Sequence, residues 1–215
     1  MSTFIDFVLH INDHMVNLVT NFGDWTYLIL FLIIFVETGA VILPFLPGDS
    51  LLFAASAIAA DSRYGLNICA FFALFLFACV AGDSLNFYLG KHTEQLLSRY
   101  QWFSRFISQE SLAKGRHFFE KYGALSIILA RFMPIIRTFV PFVAAGSGFE
   151  YKQFLRYNLI GCVAWVTLCC GAGYFFGNIP FVKEHFSMVV IGIIVVSLLP
   201  AVIGFIKSRV SRNKN

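Results

Sequence analysis

The chain has 215 residues, of which 58% are apolar and 13% charged, and its mean hydropathy is +0.75. A soluble domain carries roughly 25% charged residues and needs that polar surface to cover its core. The composition therefore excludes a soluble enzyme, a disordered chain and a disulfide-rich secreted module, and it indicates a one-domain polytopic membrane protein whose small net charge of +4 matters by its location.

Residues 1–25 form the first unit. Phe4, Phe7, Val8, Ile11, Met15 and Leu18 fall on one helical stripe, and Asp6, His10, Asp13, His14 and Asn17 fall mostly opposite. This pattern predicts an amphipathic helix lying on the membrane interface. The stretch has no Lys or Arg, so it lacks the basic start of a secretory signal.

Residues 26–60 are apolar for longer than the ~20 residues of one spanning helix. They are interrupted by Glu37, Gly39, Pro44, Pro47, Gly48 and Asp49. Pro removes a backbone donor, and Pro-Gly marks a turn. The expectation is a broken, re-entrant hairpin that enters and leaves on one side, although periodicity alone leaves a span open. Irregular backbone at membrane depth needs protein or a water-filled cavity around it.

Residues 66–90 read as a full span containing Asp83. Residues 91–121 are the one long polar stretch, with a surface helix stopped by Gly123. Residues 124–148 are apolar but carry Arg131 and Arg137, and Pro134 and Pro141 predict a second broken hairpin. Residues 153–178 read as a span whose Gly161, Gly171, Gly173 and Gly177 permit close packing. Residues 186–206 read as a last span, and residues 207–215 as a basic tail. The core domain on this reading covers residues 26–180. The fold class is an all-α polytopic membrane protein with two opposed re-entrant hairpins in an inverted repeat, about three full transmembrane helices and the N-terminal helix.

Basic residues set the orientation. The 91–121 loop, the loop at 149–156 and the tail carry twelve Lys and Arg, while the opposite side carries only Arg63 and Lys183. Cytoplasmic loops hold the excess of Lys and Arg. The C-terminus is thus expected in the cytoplasm and the N-terminus in the periplasm. The two hairpins then enter from opposite sides, as in transporters with a midplane site.

Glu37, Asp49, Asp83, Arg131 and Arg137 fall at or near membrane depth, with Lys91 a sixth candidate. Each ionisable group there costs about 2.5–3.5 kcal/mol if unpaired, so they must pair or face water. Arg131 and Arg137 flank Pro134, and a guanidinium is a planar fork suited to phosphate oxygens. This pattern points to an anionic head group as ligand. Glu37 and Asp49 are the proton-binding candidates, and Ser50 and Thr138 are further donors or helix caps. A purely structural ion-pair lock is the competing reading. Cys69, Cys79, Cys162, Cys169 and Cys170 lie in apolar stretches without a CxxC pair and read as packing residues.

The segments ETG at 37–39, PFLPGDS at 44–50, GD at 82–83 and ARFMPIIRTFVPFVAAGSG at 130–148 closely resemble the DedA family of membrane proteins, which carry the VTT (SNARE-associated) domain. Phe119 and Gly123 repeat the family's aromatic-to-Gly spacing before the Arg hairpin. The resemblance covers nearly the whole chain. It implies two facing re-entrant helices, residence in the bacterial inner membrane and a role in envelope maintenance. It also implies similarity to flippases of undecaprenyl phosphate and to lipid scramblases. The family's important acidic and Arg positions fall on Glu37, Asp49, Arg131 and Arg137, with Pro44, Pro47, Gly48, Ser50, Asp83, Pro134, Thr138 and Pro141 around them.

The first reading is therefore a carrier of lipid phosphate, with membrane lipids and protons as partners. The alternatives are a proton-coupled small-cation or osmotic-balance transporter and a non-transporting envelope assembly factor. An enzyme is not expected, because there is no phosphatase signature, no HExxH and no metal-spaced His/Cys cluster. No cofactor and no nucleic acid are expected either, and self-association is left open.

Overall fold

The computed structural model describes residues 11–39, 48–92, 109–186, 188–189 and 191–192. Among these residues the regular structure is helical. Helix α1 spans Ile11–Phe22, α2 Trp25–Gly39 and α3 Gly48–Ala59. A 3-10 turn at Ser62–Tyr64 leads into α4, Ile68–Lys91. Then follow α5, Gln109–Tyr122; α6, Leu125–Ala130; α7, Pro134–Gly146; α8, Tyr151–Phe176; and α9, Pro180–Glu184.

Among the described residues two helices are long and apolar enough to cross a membrane. These are α4, with 24 residues, and α8, with 26. At 1.5 Å per residue each exceeds the ~30 Å of a hydrocarbon core. Only 33% and 39% of their most apolar windows are buried in the protein. The helices α2, α3 and α7 are apolar but shorter.

Among the described residues large apolar side chains face outward, and a cluster of charged and polar ones lies inside an otherwise apolar core. Leu28, Leu32 and Val36 form an exposed stripe on α2, and Phe77, Leu159, Leu168 and Phe175 are exposed on α4 and α8. Glu37, Asp83, Asn86, Arg131, Arg137 and Asn158 are buried. Water would favour the reverse, and a lipid surround favours this arrangement.

Helix α4 starts where the Asn67 side chain accepts hydrogen bonds from the N–H groups of Cys69 and Ala70, at 2.8 and 3.3 Å. Helix α5 ends as expected at Gly123, whose φ of +54° is the left-handed cap that glycine adopts without strain.

The packing is crossed. Helix α2 packs on α4, but α3 packs on α8; α6 packs on α8, but α7 packs on α4. The second arm of each predicted hairpin thus lies on the long helix of the other half. Two glycines mark these crossings. A Cβ on Gly173 of α8 would collide with the Phe53 carbonyl of α3, and a Cβ on Gly90 of α4 with the Phe142 carbonyl of α7. The first arm closes on α4 through Gly39 and Gly82, where a Cβ on Gly39 would sit 3.3 Å from the Gly82 Cα.

Some expectations change. Pro134 does open a new helix at its first turn, after a turn at 131–133. Pro141, expected to break the chain, lies inside α7, which continues to Gly146. Pro141 has no N–H to give the carbonyl of Arg137, and neighbouring helices tolerate the loss of that one bond. The amphipathic helix holds from residue 11, and its Met15 and Val19 are buried, with α1 packed on α3. Residues 4–10, Pro44, Pro47, residues 93–108, most of the predicted span at 186–206 and the tail lie outside the described residues.

Candidate functional site

The buried charges meet in one place. Glu37 is in the last turn of α2 and is fully buried. Asp49 is in the first turn of α3 and keeps 18% of its side chain exposed. Arg137 enters from the first turns of α7. Its Nη2 donates to Glu37 Oε1, and its Nη1 approaches Asp49 Oδ1 at 3.4 Å. One guanidinium fork thus ties the end of α2 to the start of α3.

Gly48 makes that approach possible. A Cβ there would overlap the Glu37 carboxyl group. The glycine expected from sequence as part of a turn therefore also clears space for an acid.

Arg131 has a different partner. It lies in the turn between α6 and α7, and its Nη2 donates to Asp83 Oδ2 on α4. The sequence places Asp83 near the site but does not assign it to Arg131. Cys162 Sγ on α8 lies 3.9 Å from the same Asp83 oxygen and 3.6 Å from Asn158 Oδ1. A single S–H serves one of these acceptors at a time.

Trp165 joins the two ion pairs. Its ring centroid is 5.7 Å from the Arg131 guanidinium carbon and 5.4 Å from that of Arg137. Both lie within the ~6 Å range of a cation–π contact. Trp165 is nearly fully buried, where such a contact is strongest. Sequence reasoning missed Trp165 and Asn158 and read Cys162 as packing only. The signal was the run Asn158, Gly161, Cys162 and Trp165 at helical three-and-four spacing, a small and polar stripe on an apolar helix. Gly161 leaves room for Arg131, whose Cγ would stand 3.4 Å from a Cβ there.

Other site residues pack around this cluster. Ser50 and Thr138 are buried. Asn86 Nδ2 donates to the Thr38 carbonyl at 2.7 Å, which ties α4 to the end of α2. Several buried polar atoms have no hydrogen-bond partner among the described residues: Ser50 Oγ, Asn86 Oδ1, Asn158 Nδ2 and the Nε atoms of both arginines. Buried polar atoms are ordinarily satisfied, by ordered water where protein does not reach. Among the described residues no group of His, Cys, Asp and Glu could hold a metal ion.

Proteins with the same sequence pattern supply the family. The VTT domain family matches residues 46–175. Protein DedA of Escherichia coli K12 is 48% identical over 206 residues, covering 95% of this chain and 93% of that protein. The chain belongs to the DedA family. A second member, the uncharacterized membrane protein Rv0364 of Mycobacterium tuberculosis, is 38% identical over 205 residues, or 94% of this chain and 89% of that one. The inner membrane protein YghB of Salmonella typhimurium is 28% identical over 211 residues, covering 95% and 92%. No solved structure matches. With these membrane relatives and the lipid-facing surface of α4 and α8, this DedA-family chain is a membrane protein.

Proposed function

We propose that this protein is a carrier of an anionic lipid phosphate, such as undecaprenyl phosphate, in the bacterial inner membrane. The observation that carries this reading is the pair of buried guanidiniums of Arg131 and Arg137, 5.7 and 5.4 Å from the centroid of one Trp165 ring. Guanidinium forks in a water-poor site suit the oxygens of a phosphate monoester. A scaffold would reach the same stability with apolar side chains and less desolvation. The crossed packing supports two hairpins that enter from opposite faces, and the basic loops support a cytoplasmic C-terminus.

Proton coupling completes the reading. Glu37, Asp49 and Asp83 face two guanidiniums, so the cluster has one acid in excess. A proton carried with the lipid offsets one of the negative charges that the phosphate and the acids bring together. The same excess favours the second reading, a proton-coupled carrier of small cations. Dependence of transport on a lipid phosphate separates the two. We read the protein as a carrier rather than an enzyme, working in envelope maintenance.

The test uses the purified protein in liposomes, with undecaprenyl phosphate movement scored beside thermal melting. The Arg131→Lys, Arg137→Lys double variant keeps both charges and loses the forks. It should fold with near-normal melting and move little lipid. Full lipid movement by that variant would remove the phosphate clamp.

A further inference from the structure

Asp83 holds Arg131 by one arm only. Its Oδ2 meets Nη2, while the buried Nε of Arg131 has no partner among the described residues. The same oxygen already has a second, weaker donor within reach in the Cys162 S–H. One turn along α8, Asn158 is buried, and its Nδ2 has no partner among the described residues. Asp83 therefore has somewhere to turn if it releases the arginine. Arg131 has a second contact besides Asp83, because the Trp165 ring centroid lies 5.7 Å from its guanidinium carbon.

We propose that Asp83 is an exchangeable plug on Arg131: in the empty protein its carboxylate occupies the guanidinium that an anionic phosphate takes during transport, and it swings to the donors of α8 while Trp165 keeps Arg131 in place. This rests on the lipid-phosphate reading above and adds a positioning role for Asp83, with Cys162 and Asn158 receiving it. Displacement works because a ligand shifts such an equilibrium only by its differential affinity for the two states. A dianionic phosphate offering several acceptors outcompetes one carboxylate oxygen on a fork with spare donors. Release then depends on the return of Asp83, so the plug speeds turnover while weakening binding.

The experiment uses full-length protein in lipid nanodiscs, with Trp25→Phe and Trp102→Phe leaving Trp165 as the sole tryptophan. Its emission is titrated with farnesyl phosphate, with farnesol as the uncharged control. Lipid-phosphate transport is measured in liposomes with the same proteins. Asp83→Asn should lower the half-saturating farnesyl phosphate about ten-fold, since one charge-assisted competitor is gone, and should reduce turnover at saturation. Asp83→Glu should restore both toward wild type. Folded Asp83→Asn protein with unchanged half-saturation, or with binding and turnover weakened together, would overturn the plug. If Asp83→Asn does not fold, Cys162→Ala decides. It should slow turnover without lowering the melting temperature, and normal turnover there would also overturn the plug. A wild-type protein that neither responds to farnesyl phosphate nor moves lipid phosphate would instead sink the lipid-phosphate reading itself.

Discussion

Glu37 and Arg137, a hundred residues apart in sequence, form a buried ion pair in which the arginine has a second acid in reserve and the glutamate has no second cation in contact among the described residues. The pair is therefore unequal. Removing one partner of a buried ion pair costs about 3–5 kcal/mol because the other charge is stranded. Arg137→Gln strands the fully buried Glu37 and also removes the contact at Asp49, so it should fall at or above that range. Glu37→Gln leaves Arg137 with Asp49 and should cost clearly less. Melting of the two variants in the same detergent checks the order. Equal losses would mean that the contact with Asp49 carries no weight.

The helix crossings predict a different pattern. Gly90→Ala and Gly173→Ala each push a methyl group into a facing carbonyl, against Phe142 and Phe53. Overpacking of this kind costs about 1–3 kcal/mol. Gly171→Ala meets nothing within 4 Å and should be neutral or slightly stabilising, since alanine favours the helix. Three melting curves decide this.

Trp165 should tolerate a ring and not a void. Trp165→Phe keeps an aromatic face over both guanidiniums at weaker cation–π strength. It should fold with a small loss of stability and a reduced transport rate. Trp165→Ala removes a buried ring in contact with both guanidiniums and should lose about 3–5 kcal/mol. Circular-dichroism melts beside liposome transport give both numbers.

Orientation is tested by labelling. In a background without native cysteines, Phe22→Cys and Ser62→Cys should react with an impermeant maleimide from outside intact cells. Glu110→Cys and Arg212→Cys should react only after the membrane is opened. Opposite reactivity of positions 22 and 62 would make the segment between them a span rather than a re-entrant pair.

The charged half of the site was legible because an ionisable group stands out against apolar sequence. Glu37, Asp49, Arg131 and Arg137 were marked by that contrast alone. Their pairing was not legible. Whether Arg131 meets Glu37 or Asp83 depends on which long helix each arm packs against, and that is set by side-chain fit over many residues. Trp165 was hidden because an aromatic ring in an apolar helix has no contrast. Pro141 was read as a break because local chemistry says so, whereas the helices around α7 tolerate the missing bond. The two long helices were placed within a few residues, since length and hydropathy decide them.

The crossed packing also dictates an order of events during synthesis. When α3 leaves the ribosome, its seat on α8 has not been made, and Phe53 waits for Gly173. Glu37 and Asp49 are likewise made before the arginine that neutralises them. Until α7 arrives those acids have no Arg137 to face, so they are held protonated or in contact with water. The second half, made separately, would lack α4 for α7 to lie on. Neither half is a domain in its own right, yet each carries the template for the other. A chain severed between α4 and α5 should for that reason assemble only when both pieces share a membrane.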